Sequence, residues 1–206
     1  TFKSKPARGG VLPTPADALA HAQQLHEGYM SALASFRQKK EELPEGAVAA
    51  SGSYIDVIVK KDALLETWKS LDTKRGAQVM NMRSSDDESN KVTLYLTENR
   101  TNWLDNKLNA YSHSADTDNR RNRKLIDALD AVSPVRLESF FTVLGDYETV
   151  SDRIEDYEIW ITGTEVDSED IKHRIASVGV EYRNRTLTFD CMMVVLVKAN
   201  REHLEM

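Results

Sequence analysis

The stretch from Gly52 to Thr142 constrains the fold most, because strand and helix patterns follow one another in it as one complete unit. Ser53–Lys60 carries β-forming side chains with a period near two, which predicts a strand. Asp62 stands where it can cap a helix. Apolar residues then recur at three- and four-residue steps: Leu64, Leu65, Trp68 and Leu71. The unit therefore begins with a strand followed by a helix.

A hairpin follows this first helix. Ala77–Arg83 and Val92–Thr97 are rich in β-forming residues, and the polar segment Ser84–Asn90 between them is typical of a turn. A second helix is marked by its apolar residues Trp103, Leu104, Leu108 and Tyr111. The pattern so far is strand, helix, two strands and helix.

The end of the unit supplies its closing strand. After a polar insertion, His113–Asn122, a further helix is marked by Leu125, Ile126 and Leu129. Val135–Thr142 is then expected to form the last strand, with Phe140 and Phe141 on opposite faces. Because crossover connections are right-handed, few sheet topologies are compatible with this order of strands and helices. The sequence therefore predicts an α+β fold in which residues 51–143 form a ferredoxin-like βαββαβ domain.

A long helix is expected before this domain. Residues 1–13 form a flexible lead-in, and a helix is expected over 14–46, with Thr14 as its cap, Asp17 at its third position, and Pro44 and Gly46 ending it. Its seam residues follow three-four spacing: Leu19, Ala22, His26, Tyr29, Leu33, Phe36, Lys40 and Leu43. This face is predicted to cover the sheet; a coiled-coil contact is the alternative.

A strongly acidic segment follows the first domain and predicts a domain boundary near Leu144–Ser151. The same order then begins again: a strand at Tyr157–Thr162, a helix capped by Asp167 or Ser168, and two further strands up to Val197. Both copies contain a similar strand-to-helix junction, Thr97–Arg100 in the first and Lys198–Arg201 in the second, with Asn as the expected helix cap. Residues 152–206 are therefore interpreted as a partial second ferredoxin-like domain, and we expect the native polypeptide to continue.

Composition narrows the class of protein. The chain has 206 residues, 40% of them hydrophobic and 29% charged, which is ordinary for a globular protein. The net charge of -6 disfavours nucleic acid as a partner, and no apolar run approaches the ~20 residues of a membrane span. The single cysteine, Cys191, excludes an internal disulfide and fits a cytoplasmic location.

Few residues point to a site. The cluster Arg120, Arg121, Arg123 and Lys124 is interpreted as a solvated loop and helix start, with docking on the acidic second unit or on an acidic partner as the alternative. The histidines show no metal-ligand spacing except His21 with Asp17, and no metal or cofactor is predicted. An RNA-recognition module shares the fold, but Val92–Thr97 offers only Tyr95 as a stacking residue. Trp68, Trp103 and Trp160 are predicted to be core residues.

The run Arg123–Thr142, a helix followed by Arg-Leu-Glu-Ser and an aromatic pair, resembles a segment found ahead of the catalytic domain in a group of bacterial subtilisin-like serine peptidases. Other matching pieces are Gly52–Tyr54, Gly76–Arg83, Val92–Thr97 and Leu187–Phe189. The resemblance implies a catalytic domain after Met206. It also implies a role for this region as folding chaperone or inhibitor, and an AAA-type ATPase as a further partner.

The chain itself lacks the chemistry of a protease. A subtilisin needs aspartate, histidine and Gly-Thr-Ser motifs, because its serine becomes nucleophilic only beside a base and an orienting acid. The nearest strings are Asp72-Thr-Lys74, without the glycine, and Gly163-Thr-Glu165, without the serine. We therefore expect a non-catalytic propeptide-like or regulatory region of a subtilisin-like endopeptidase. The alternative is a stand-alone interaction or ligand-sensing module.

Overall fold

The structure, a computed structural model, describes residues 15–63, 65–73, 77–84, 89–114, 121–141, 146–162, 167–190 and 192–205. These residues form a mixed α+β protein with an N-terminal helix and two antiparallel sheets. Contacts divide the chain into a first unit, residues 1–36 and 51–135, and a second unit, residues 37–50 and 136–206. The predicted lead-in at 1–13, the Thr14 cap and Cys191 lie outside the described residues.

Helix α1 spans Ala18–Glu41. Asp17 is its N-cap and not its third residue, since Asp17 Oδ1 accepts a hydrogen bond from the Ala20 amide at 2.9 Å. Of the predicted seam, Ala22 and Tyr29 are buried whereas Leu19 is exposed. The buried face also contains Leu25 and Ala32, and it belongs to the core of the first sheet. The helix therefore covers that sheet in the first unit, as the sequence predicted.

The first unit is built on a four-stranded sheet. Its elements in chain order are β1 Ser53–Lys60, α2 Leu65–Leu71, β2 Ala77–Ser84, β3 Ser89–Leu96, α3 Trp103–Ser112, α4 Arg123–Ile126 and β4 Leu129–Pro134. The strand order is β2-β3-β1-β4, and every neighbouring pair is antiparallel. Ile55, Val57 and Val59 of β1 are fully buried beneath α1 and α3.

The closing strand lies earlier than predicted. The strand β4 occupies Leu129–Pro134, and the predicted strand Val135–Thr142 is wrong because Leu137–Phe140 forms a 3-10 turn. Ser139 closes this turn by accepting the Arg136 amide at 3.0 Å, and Phe140 is exposed. Pro134 ends the strand because proline has no amide hydrogen to continue the ladder.

The second unit contains a three-stranded sheet. Its elements are β5 Glu155–Thr162, α5 Ser168–Ser177, β6 Glu181–Phe189, β7 Met192–Ala199 and α6 Arg201–Glu205. The strand order is β5-β7-β6, again antiparallel. Of the two predicted caps of α5, Asp167 is the cap, since its Oδ1 accepts the Glu169 amide at 2.9 Å.

The two strand-to-helix junctions differ in one respect. Asn200 Oδ1 accepts the His203 amide at 3.0 Å and caps α6, as predicted. The corresponding prediction for Asn99 is wrong, because Asn99 lies inside the 3-10 turn Glu98–Arg100, whose cap position is Thr97. The order of strand, helix, strand and strand is nevertheless common to both units.

Candidate interaction surface

One face of the second sheet packs on helix α5, and no described helix packs on the other face. The inner face consists of Met193, Val195, Val197 and Ala199 of β7, which form a core cluster with Ile175 of α5. Residues directly opposite each other in an antiparallel pair point to the same face, and neighbours along a strand point to opposite faces. Val194 and Met192 therefore belong to the other face, which we call the outer face.

Large apolar side chains meet on this outer face. Trp160 of β5 and Leu187 of β6 both lie directly opposite Val194, and Phe189 of β6 lies opposite Met192. Trp160 is 61% exposed, Leu187 64% and Phe189 54%, whereas Val194 between them is only 7% exposed. The result is a contiguous apolar patch of Trp160, Leu187, Phe189, Val194 and Met192, of the kind that marks a contact surface in soluble proteins.

Charged residues border this patch. Arg183 of β6 lies 3.2 Å from Asp156 of β5 and 3.3 Å from Glu181. Glu158 of β5 accepts a hydrogen bond from Trp160 Nε1 at 3.3 Å, which orients the indole ring on the sheet. The outer face is therefore apolar at one end and charged at the other, as in protein interfaces with an apolar centre and a polar rim.

The first sheet carries a buried polar cluster and no comparable exposed patch among its described strands. Asp56 of β1 is fully buried, and its Oδ1 accepts a hydrogen bond from Thr93 Oγ1 at 2.7 Å. Its Oδ2 lies 3.2 Å from Lys91 Nζ and 3.8 Å from Arg83 Nη2. These contacts balance the charge of Asp56 inside the protein, which is a structural role.

The predicted basic cluster is only partly brought together. Arg120 lies outside the described residues, and the Arg121 side chain is exposed. Arg123 is engaged in the fold, because its Nε lies 3.1 Å from Oδ2 of the buried Asp127, which also accepts the Tyr111 hydroxyl at 2.6 Å. Lys124 is exposed at the start of α4 and its carbonyl accepts the Thr67 hydroxyl at 2.7 Å. At least one of these cations therefore stabilises the first unit.

A cleft of about 320 Å³ lies in the second unit, between the end of α1 and α6. It is lined by Lys39, Glu42, Leu43, Asp152, Arg201, Glu202 and Glu205. Both of its cations have partners within the chain: Arg201 Nε lies 3.6 Å from Asp152, and Lys39 Nζ donates to the Glu205 carbonyl at 3.2 Å. The basic groups of this cleft are therefore occupied by contacts within the second unit.

The two histidines of helix α1 are occupied by local contacts. His21 Nε2 lies 3.1 Å from the Ile126 carbonyl, and its suspected metal partner Asp17 caps α1. His26 Nδ1 lies 3.0 Å from Asp105. Within the described ranges, no group of three or more His, Cys, Asp and Glu residues has the geometry to hold a metal ion.

The prediction that Trp160 is a core residue is wrong, and for that reason this surface is not identified from the sequence. The strand of Trp160 contains apolar residues in both phases of the period of two, so hydrophobicity alone does not choose the face. The available signal is charge, because Trp160 shares its phase with Asp156 and Glu158, and carboxylates are rarely buried. At the level of sequence, Leu187 and Phe189 are used only as part of the resemblance to subtilisin-like peptidases and are not placed in a site.

No family model, no curated protein and no solved structure matches this chain. In the part of the chain that the structure describes, none of the helices combines the length and the apolar character that crossing a membrane requires.

Proposed function

We propose that this chain is a non-catalytic interaction region that works by burying the outer face of the second sheet against another protein. The observation that supports this most is the apolar patch of Trp160, Leu187 and Phe189, each more than half exposed. At about 25 cal/mol per Å², removing these side chains from water would contribute several kcal/mol to association. Aromatic residues at the centre of such patches tend to dominate binding.

The partner that we propose is the catalytic domain of a subtilisin-like serine peptidase, for which this chain would act as folding chaperone or inhibitor. The resemblance of the run from Arg123 to Thr142 supports it. So does the strand order β2-β3-β1-β4, in which α2 and α3 serve as crossovers, because a ferredoxin-like domain has this order. An AAA-type ATPase as second partner and a cytoplasmic location belong to the same proposal.

The test uses the subtilisin-like domain encoded in the same reading frame, produced separately and refolded with and without this chain. We expect the chain to raise the refolding yield or to inhibit peptide hydrolysis. The double variant Trp160→Ser, Leu187→Ser should weaken the effect about tenfold or more, because it removes the centre of the patch.

The matched control is Met82→Ser, which removes an apolar side chain of the first sheet that is 56% exposed. It should leave refolding and inhibition unchanged. Equal effects of both variants would refute the outer face as the contact, and no effect of the unaltered chain on the catalytic domain would refute the peptidase as partner.

A stand-alone interaction module is the second candidate function. It is favoured by the lack of aspartate, histidine and Gly-Thr-Ser motifs in this chain, since the patch alone needs no attached enzyme. The source reading frame separates the two candidates. Continuation past Met206 into these motifs supports the peptidase region, and a stop codon there supports the stand-alone module.

A further inference from the structure

The two sheets together have four edge strands among the described residues: β2, β4, β5 and β6. Unpaired edges invite pairing with another chain, and proteins protect them with bulges, prolines and short strands. The pairing of β2 is interrupted between Val79 and Asn81, and that of β6 between Tyr182 and Thr186. The strand β4 has six residues and ends in Pro134. Each of these three edges carries one of the usual protections.

The strand β5 has none of these three features, and the carboxylates of its first half are its only charged protection. Its eight residues pair with β7 in one uninterrupted register from Glu155 opposite Ala199 to Thr162 opposite Met192. It contains neither proline nor glycine. Among the described residues, β7 is its only neighbour in the sheet. One full side of β5 therefore presents backbone N–H and C=O groups that can accept a further strand.

In the first unit the strand that corresponds to β5 is β1, and its edge is covered by a further strand. There, β1 pairs with β3 on one side and with β4 on the other, and its inward residues Ile55, Val57 and Val59 are fully buried. The inward residues of β5, namely Tyr157, Ile159 and Ile161, are only half-buried although they belong to the core cluster of the second unit. An added strand would complete their burial as β4 completes it in the first unit.

Charge selects the kind of strand that fits. Exposed carboxylates run along the first half of β5, at Glu155, Asp156 and Glu158, and the only cation within 4 Å of them among the described residues is Arg183, at Asp156. A second copy of β5 paired about Glu158 would set two carboxylates against one another, which destabilises a ladder, and β5 contains no lysine or arginine that could lie opposite them in any other register. Lysine or arginine opposite them is favourable by the same rule.

We propose that the free edge of β5 binds an extended segment of a partner protein in which lysine or arginine alternates with β-branched apolar residues. The apolar residues would lie beside Tyr157, Ile159 and Ile161, and the cations beside Asp156 and Glu158. This mode, addition of a strand to a sheet edge, takes its affinity from main-chain hydrogen bonds and its specificity from side chains. It goes beyond the proposed function, because it uses the edge of the sheet and not its outer face.

The test is a titration of the full chain with a blocked peptide of about seven alternating Lys and Val residues, long enough to match a typical strand. Binding is followed by calorimetry, and amide exchange is followed by NMR. We expect binding and slowed exchange of alternate β5 amides. A peptide with Glu in place of Lys should bind about tenfold more weakly, because cross-strand ion pairs become repulsions. Methylation of the Lys-Val peptide at alternate backbone nitrogens, chosen to face β5, should abolish binding.

Reversing the charge of the strand completes the test. In the variant Asp156→Lys, Glu158→Lys, the Glu peptide should bind more tightly than the Lys peptide, and since both side chains are exposed the fold should persist. The control Glu148→Lys, Glu202→Lys makes the same charge change at exposed positions away from β5 and should keep the original preference. No binding of the Lys peptide, equal binding of the methylated peptide, or protection that maps to β6 would overturn the proposal.

Discussion

Thr93 and Asp56 share a hydrogen bond of 2.7 Å between fully buried side chains on neighbouring strands of the first sheet. The carboxylate also faces Lys91 and Arg83, so one negative charge inside the protein is set against two positive ones. Arg83 depends most on this contact, because its Nε and Nη2 are buried without a hydrogen bond to any described residue.

Replacing Asp56 with alanine should destabilise the chain by about 3–5 kcal/mol, because it leaves the buried Arg83 guanidinium without its counter-charge. Thr93→Val removes only the hydroxyl donor and should cost about 1–3 kcal/mol. Chemical denaturation measures both free energies of unfolding. A loss for Asp56→Ala no larger than that for Thr93→Val would contradict the assignment of the cluster.

Tyr29 should make stability depend on alkaline pH. Burial raises the pKa of its phenol from 10.0 to about 12, with a further contribution from the nearby charge of Asp105 and a partial offset from the Leu104 backbone. The native state thus holds the proton more tightly than the unfolded chain. The stabilisation is complete below pH 10 and is lost as the pH rises towards 12, by about 2–3 kcal/mol.

The variant Tyr29→Phe isolates this contribution. It should lose about 1 kcal/mol at neutral pH, because the hydroxyl no longer donates to the Thr101 carbonyl at 2.7 Å. Its free energy of unfolding should then fall less steeply than that of the unaltered chain between pH 10 and 12. Parallel pH profiles for the two proteins would show that Tyr29 is not the titrating group.

Gly28→Ala should destabilise the first unit although alanine is the better helix former. A Cβ at this position of α1 would lie 2.4 Å from the Val132 carbonyl oxygen of β4, so helix and strand would have to separate. Overpacking of this kind costs about 1–3 kcal/mol. The exposed neighbour Ser31 is the control, since Ser31→Ala should stabilise the helix by a few tenths of a kcal/mol, about its propensity difference. Thermal unfolding distinguishes the two signs.

Asp167→Ala should weaken the second unit by about 1 kcal/mol, because it removes the acceptor for the Glu169 amide at the start of α5. Asp167→Asn keeps an acceptor oxygen and should retain most of the stability. Amide exchange of α5 residues is the direct readout. Equal protection in the alanine and asparagine variants would show that the cap contributes nothing.

Apolar residues that recur every two residues predict the first three strands of the first unit correctly. Together with recurrence every three to four residues, they also predict the order of helix and strands in the second unit, because the apolar residues of each element lie on one face. They misplace the closing strand, because they predict it over Val135–Thr142 and assign Leu129 to the preceding helix, whereas that helix ends at Ile126 and the strand spans Leu129–Pro134. Only two of its six residues, Leu129 and Val132, are strongly apolar or β-forming, so its pairing with β1 and not its local propensity makes it a strand.

The interaction surface was less accessible to sequence reasoning than the fold. The fact that Trp160 points outward depends on its register with Val194, which is a property of the sheet and not of the strand. The free side of β5 depends in turn on the order of three strands that are distant in sequence. Neither relationship leaves a local signature in composition or spacing.

The boundary between the two units crosses helix α1 after Phe36, so the first unit consists of two separate stretches of chain, with residues 37–50 of the second unit inserted between them. No single cut of the polypeptide therefore separates the units cleanly. A fragment that ends at Val135 contains residues 37–50 but lacks the remainder of the second unit, with which they make their contacts. A fragment that begins at Arg136 contains that remainder but lacks residues 37–50. Each half is thus expected to be less stable alone than within the whole chain, and the whole chain is the smallest piece in which either should be studied.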